Sequence, residues 1–178
     1  MADISALLQA AYNGDRDEVE RLRATVGVGD VFDASAVGDV DAVERFLDTE
    51  PAAARALAVD GFTALHLAAY FARDAVVQIL LDAGADPDAV ADNGTDLRPL
   101  HAATAAASST IVAALLTAGA SADARQRGGF TPLMAAAKHG DTEGVQLLLA
   151  AGADADRAAD DGSTARSLAD PTVRHLLD

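Results

Sequence analysis

The 178-residue chain has no cysteine, no tryptophan, few other aromatic residues and few basic ones. The absence of cysteine excludes disulfide bonds and thiolate metal sites. Lys and Arg number 13 against 28 Asp and Glu, and the formal net charge of -15 argues against binding to nucleic-acid phosphates or anionic lipid. No apolar run approaches the ~20 residues of a membrane span. The first fifteen residues place no basic residue ahead of their apolar stretch, so we expect no signal peptide and a cytoplasmic location.

The residue that dominates the composition is alanine, with 44 occurrences. Alanine is the strongest helix former, and its small side chain lets helices approach closely. A β-sandwich would need more Val, Thr and aromatic residues. An apolar content of 51% excludes a disordered chain, so the composition predicts a folded helical protein.

The sequence repeats itself at intervals of 33 to 35 residues. GFTALHLAAY from Gly61 recurs as GFTPLMAAAK from Gly129, and LLDAGADPDA from Leu80 recurs as LLTAGASADA from Leu115 and LLAAGADADR from Leu148. A period of this length is typical of solenoids, in which each unit buries its apolar face against its neighbours.

Each repeat has the pattern of two helices after a glycine-containing turn. Thr63 is suited to cap a first helix, and a proline can occupy the first helical turn. The second helix carries apolar residues at helical spacing. Gly84, Gly119 and Gly152 follow the second helices, where a left-handed residue ends a helix.

On these residues the chain resembles the ankyrin-repeat family. The resemblance is carried by G-F-T-A-L-H at 61–66, P-L-H-A-A at 99–103, G-F-T-P-L at 129–133 and the three G-A-[DS] turns. It implies an all-α solenoid of stacked antiparallel helix pairs joined by short hairpin-like loops. We expect a single domain over 1–178 that is monomeric when unpartnered, because both ends look polar and capped. Its six units are expected at about 1–28, 29–57, 58–90, 91–125, 126–158 and 159–178.

The chain departs from the family pattern in three ways. Pro51 follows the second unit and predicts an extra helical turn. The fourth unit carries two extra residues at 94–101, so its loop tip is expected to bulge. Ala72 and Ala107 replace the glycine between the two helices of a unit, so these turns are expected to differ in detail.

The residues with catalytic potential fit structural roles. His66 and His101 occupy a position that is structural in the family, and Thr63 is the expected partner of His66. His139 is expected to be exposed at the end of a first helix. No G-x-S-x-G occurs, and the aspartate clusters lack the spacing of a calcium loop. We therefore expect no enzyme, no catalytic residue, no metal and no cofactor.

The remaining candidates are binding residues. The family fold lines a concave face with loop tips and the exposed ends of first helices, and aromatic and arginine residues dominate interface centres. The resemblance places on that face Tyr12, Asn13, Asp60, Phe62, Tyr70, Phe71, Arg98, Arg127, Phe130, Lys138 and His139, with Ala36 and Val37 from the second unit.

We expect a non-catalytic module that presents this preorganised concave face to a protein partner, with Tyr70 and Phe71 as anchors. One alternative is an acidic decoy that inhibits a basic nucleic-acid-binding protein through its net charge. The other is a small-molecule binder or enzyme accessory, which would require a closed polar pocket.

Overall fold

The computed structural model describes residues 4–178, and within them eleven α-helices form a two-layered stack. The helices are α1 Ala6–Tyr12, α2 Arg16–Thr25, α3 Val31–Val37, α4 Val40–Thr49, α5 Ala64–Tyr70, α6 Asp74–Asp82, α7 Pro99–Ala105, α8 Ser109–Thr117, α9 Pro132–His139, α10 Thr142–Ala150 and α11 Ala165–Leu168. Short 3-10 helices span Pro51–Arg55, where the extra turn is predicted, and Arg127–Gly129 and Arg174–Leu176.

The helices alternate between the two layers. The first layer contains α1, α3, α5, α7, α9 and α11, each packed on the next, and α4, α6, α8 and α10 pack in succession in the second. Within residues 4–178 the chain forms no strand, only a single bridge between Leu57 and Thr63. The predicted all-α solenoid of helix pairs is confirmed. Each helix of this part of the chain is too short or too polar to serve as a membrane span.

The core lies between the layers and consists of small and branched aliphatic side chains. Leu65, Leu100 and Leu133 occupy the same position of three successive first helices, and each is 0% exposed. Fully burying such a side chain contributes about 1.5–3 kcal/mol. Ala68 and Ala103, also 0% exposed, add no bulk between neighbouring helices, so the first helices approach closely.

Hairpin loops connect the successive pairs. The N–H of Ala58 donates to the carbonyl of Phe62 at 2.8 Å and closes the loop before α5. Before α7 the closing bond joins Ala91 to Leu97 at 2.9 Å, two residues further apart, and Asp96 adopts a φ of 56° there. The predicted bulge is confirmed.

Aspartates of these loops bond to the backbone of neighbouring loops. Both carboxylate oxygens of Asp88 accept from the N–H of Ser121 at 3.1 Å, and Asp123 accepts from the N–H of Asp154 at 2.9 Å. Among residues 4–178, no three His, Asp or Glu side chains are grouped so that they could hold a metal ion. Asp88 and Asp123 therefore contribute to the stacking of the repeats.

The turns between the two helices of a pair require a left-handed residue. Gly14, Gly38 and Gly140 fill this position with φ values of 69°, 79° and 68°. Ala72 and Ala107 fill it elsewhere with φ values of 53° and 51°. The two turns thus keep the left-handed conformation despite the missing glycine. A left-handed alanine costs about 1–2 kcal/mol, so these turns carry strain.

Replacing one of these alanines by glycine is expected to stabilise the fold. Ala107→Gly relieves the left-handed strain at an exposed site, and the gain exceeds the added unfolded-state entropy by about 0.5–1 kcal/mol. Chemical denaturation followed by circular dichroism measures this gain. The neighbouring Ala106 has a φ of -79°, so Ala106→Gly is the control and should destabilise. A loss of stability in Ala107→Gly would contradict the strain argument.

Candidate functional site

Three aromatic side chains from two non-adjacent helix pairs meet on the first-helix layer: Tyr12, Tyr70 and Phe71, here called the ring cluster. The centroid of the Tyr12 ring lies 5.4 Å from that of Phe71 and 6.1 Å from that of Tyr70. Tyr70 and Phe71 pack edge to face at 5.1 Å with an interplanar angle of 86°. These are attractive aromatic geometries. Tyr70 remains 51% exposed, so the cluster reaches solvent.

The ring cluster forms because the intervening helix ends in small, buried residues. Tyr12 ends α1 and Tyr70 ends α5, whereas α3 between them ends in Ala36 and Val37. Ala36 is 0% exposed and packs in one apolar cluster with Tyr12 and Phe71, and Val37 is 8% exposed. The expectation that Ala36 lines the binding face is therefore wrong, whereas Val37, although mostly buried, lines a cavity of about 720 Å³. Because α3 ends without a large side chain, rings from α1 and α5 close over it.

A hydrogen bond fixes the position of Tyr12 in the ring cluster. Its hydroxyl donates to the carboxylate of Asp60 at 2.9 Å, and the same carboxylate accepts from the N–H of Phe62 at 3.2 Å. Burial raises the pKa of Tyr12, and the bond to Asp60 raises it further. The phenol thus stays a neutral donor at physiological pH. Tyr12, Asp60 and Phe62, all predicted site residues, are brought together in this way.

An apolar cavity of about 280 Å³ opens beside the ring cluster. Tyr12, Phe62 and Tyr70 line it together with Ala102 and Ala105 of α7. The cavity exists because α7 carries alanine where α5 carries tyrosine. The rest of its lining is His66, Leu67, Leu97 and His101.

The two histidines at this cavity are held by both ring nitrogens. Nδ1 of His66 lies 2.8 Å from the hydroxyl of Thr63, which confirms the predicted pairing, and also faces the N–H of Thr63 at 3.3 Å. Because that backbone group can only donate, Nδ1 accepts and the protonated Nε2 donates to the carbonyl of Leu97 at 3.1 Å. His101 repeats the arrangement, with Nε2 donating to Phe130 at 3.3 Å.

Both imidazoles are kept neutral by their surroundings. Burial lowers the pKa of His66 to about 4 and that of His101 to about 4. With each ring nitrogen engaged in bonds within and between repeats, the two histidines have a structural role, as the sequence predicts.

Other predicted site residues lie away from the ring cluster. The half-buried guanidinium of Arg98 donates to the carbonyls of Asp88 at 3.2 Å and Arg125 at 3.4 Å. Arg127 donates to the carbonyl of Gly94 at 3.4 Å. Arg98 and Arg127 therefore join the hairpin loops to one another.

The last four predicted residues divide into one packed and three exposed. Phe130 is half-buried against the main core. Lys138 and His139 are exposed at the end of α9, as predicted for His139, and Asn13 is exposed next to Tyr12.

Sequence reasoning missed a buried carboxylate that takes the histidine position in the second helix pair. Asp33 follows its helix cap, Asp30, by three residues, as His66 follows Thr63. It is 4% exposed and accepts from the hydroxyl of Ser5 and from the N–H of Gly29 at 3.4 Å. Burial raises the pKa of Asp33. Alignment of the cap positions would have identified it.

Comparison with known families agrees with this geometry. The family model described as ankyrin repeat matches residues 60–92, and the model described as ankyrin repeats (3 copies) matches residues 89–159. Together these matches extend over more than half of the chain. The chain belongs to the ankyrin-repeat family.

This ankyrin-repeat chain is similar to segments of much longer proteins. It is 36% identical over 127 residues to neurogenic locus notch homolog protein 4 of Homo sapiens, covering 68% of the chain and 6% of that protein. It is 43% identical over 79 residues to the neurogenic locus Notch protein of Drosophila melanogaster, covering 44% of the chain and 3% of that protein. The probable E3 ubiquitin-protein ligase XBOS31 of Oryza sativa subsp. japonica is 43% identical over 63 residues, which are 35% of the chain and 14% of that protein. These likenesses concern the repeat scaffold, since the chain spans only a small part of each relative.

Proposed function

We propose that this ankyrin-repeat chain is a non-catalytic binding module, whose ring cluster and apolar cavity receive an apolar side chain of a protein partner. The observation that carries the proposal is the position of the ring cluster. Tyr70 is half exposed at the mouth of an apolar cavity of about 280 Å³. Exposed aromatic side chains beside a small apolar pocket are typical of interface centres.

The site is ordered before a partner arrives. Edge-to-face packing holds Tyr70 and Phe71, and the bond to Asp60 holds Tyr12. The floor of the cavity belongs to the main stack, because His66 is bonded to the next hairpin loop. Binding therefore costs little ordering entropy, and more of the contact energy contributes to affinity.

Removal of the rings of Tyr70 and Phe71 is expected to weaken partner binding. The variant Tyr70→Ala/Phe71→Ala should lower the affinity for a partner captured from the native lysate at least tenfold, because even one anchor of this kind contributes about 2 kcal/mol or more. Mass spectrometry identifies the partner, and titration of the purified pair measures the dissociation constant at low and high salt.

The matched control removes exposed apolar surface elsewhere. Leu57 and Val90 are 46% and 45% exposed on the hairpin loops, so Leu57→Ala/Val90→Ala should leave the affinity unchanged. An equal loss of affinity in both variants, or no loss in Tyr70→Ala/Phe71→Ala, would contradict the assignment of the site. A basic partner that is released by salt and indifferent to the rings would instead indicate the acidic decoy.

A further inference from the structure

A second cavity, of about 720 Å³, borders Tyr70 and Phe71 of the ring cluster near the turns between the helices of the first four pairs. Arg16 and Arg23 of α2 and Arg73 at the start of α6 line it, so we call it the arginine cavity. Tyr70 and Phe71 line it as well. Tyr70 therefore borders both the apolar cavity and the arginine cavity.

The charge of the arginine cavity is opposite in sign to the net charge of the chain. The chain carries a formal net charge of -15, yet the lining has three arginines and a single acidic residue, Glu20. Arg23 is largely neutralised, with ion pairs to Asp39 at 3.3 Å and to Glu20 at 3.4 Å. Arg16 and Arg73 have no carboxylate within 4.0 Å among residues 4–178. The excess positive charge at the cavity therefore comes from these two side chains.

Arg73 is fixed in place by the second helix pair. Its Nε donates to the carbonyl of Ala36 at 3.0 Å, and its side chain crosses Gly38 so closely that a Cβ there would lie 2.9 Å from the arginine Cδ. Burial, the guanidinium of Arg23 and that of Arg16 all lower the pKa of Arg73. An anion between these groups would relieve their repulsion.

We infer that the arginine cavity binds an acidic side chain of the partner, in a segment whose neighbouring apolar residue contacts Tyr70 and Phe71. A carboxylate there would be held by charge-assisted hydrogen bonds from the half-buried guanidinium of Arg73 and the exposed guanidinium of Arg16. This inference rests on the proposed function, and it specifies the partner chemistry as an acidic side chain adjacent to an apolar one.

The probes are two end-blocked pentapeptides, Glu-Glu-Phe-Glu-Glu and Gln-Gln-Phe-Gln-Gln, which differ only in charge. Fluorescence anisotropy of labelled peptides at low ionic strength gives their affinities. Despite the net negative charge of the chain, the Glu peptide is expected to bind about tenfold more tightly than the Gln peptide. Arg16→Gln/Arg73→Gln should remove that preference. Arg16→Gln alone should reduce the preference about threefold. The side chain of this exposed residue forms no hydrogen bond or ion pair among residues 4–178 whose loss would disturb the fold.

The charge-matched control is Arg55→Gln/Arg174→Gln, which removes two exposed arginines outside the cavity. It should retain the preference for the Glu peptide. Equal binding of the two peptides, or an equal loss of preference in the control, overturns the inference. Failure of the proposed function gives another result: Tyr70→Ala/Phe71→Ala would then leave the binding of both peptides unchanged.

Discussion

Lowering the pH from 7 to 5 is expected to reduce the free energy of unfolding by about 4 kcal/mol through two buried histidines. His66 and His101 are 2% and 4% exposed, and burial lowers the pKa of each from 6.5 to about 4. Each pH unit between the unfolded and folded values costs about 1.4 kcal/mol for each histidine.

The direction follows from which state binds the proton. Between pH 6.5 and pH 4 the unfolded chain protonates these imidazoles and the folded chain does not. The free energy of unfolding is therefore not reduced by these histidines above pH 6.5. It falls as the pH drops from 6.5 to 4, and it stops changing on their account below pH 4. In the fold a proton on Nδ1 of His66 would face the N–H of Thr63, which is itself a donor at 3.3 Å.

Variants with methionine at these positions allow the histidine contribution to be isolated. Met134 occupies the corresponding position of α9 and is 0% exposed, so the fold accepts methionine there. The carbonyl of Leu97 also accepts from Ala91 at 2.9 Å and keeps a partner without His66.

Urea denaturation between pH 7 and pH 5 measures the dependence. His66→Met and His101→Met should each remove about half of it, and His139→Met, at an exposed position, should remove none. If the double variant retained the full slope, the dependence would have to come from other groups. Asp33 has a raised pKa, so its contribution to the pH dependence has the opposite sign. Because Asp33 is present in every variant, that contribution cancels when the pH dependences of the variants are subtracted.

The fold was predictable from sequence because each repeat contacts only its neighbours. Thr63 and Gly84 mark helix ends by local chemistry, and the buried leucines recur with the repeat. The bulge before α7 followed from counting residues in the loop. The left-handed alanines kept the turn conformation because the packed helices on either side determine it, at the cost of strain.

The candidate site was only partly predictable. The aromatic residues were found because they fall at variable positions of the repeat. Their contact was not, because a ring of α1 reaches α5 only when α3 between them ends in residues as small as Ala36. The arginine cavity depends in the same way on Arg73 crossing Gly38, a contact between neighbouring pairs that periodicity does not reveal. Arg98 was assigned to the binding face, whereas its guanidinium bonds to loop carbonyls.

Replacing Gly61 by alanine is expected to cost about 4 kcal/mol, because the hairpin loops on either side of α5 and α6 run against each other there. The carbonyl of Gly61 accepts from the N–H of Asp92 at 2.9 Å, and the side chain of Asn93 donates to the carbonyl of Asp60 at 2.9 Å. A Cβ on Gly61 would lie 2.5 Å from the carbonyl oxygen of Asp92. The loops must separate to admit it, which disrupts both bonds and adds to the left-handed strain at a φ of 81°.

The variant Gly94→Ala is the control that separates the cost of left-handed strain from the cost of disrupting the loop contact. The φ of 76° at Gly94 imposes a similar left-handed strain, but a Cβ there meets nothing within 4 Å, so Gly94→Ala should cost only about 1 kcal/mol. Urea denaturation compares the two variants, and equal losses of stability would refute the loop-contact argument.

Because a solenoid is held by nearest-neighbour interfaces, Gly61→Ala should also weaken the interface between the repeats of α5 and α7. Hydrogen exchange should then show α1 to α6 opening at lower free energy than α7 to α10, whereas Gly94→Ala should leave the two halves cooperative.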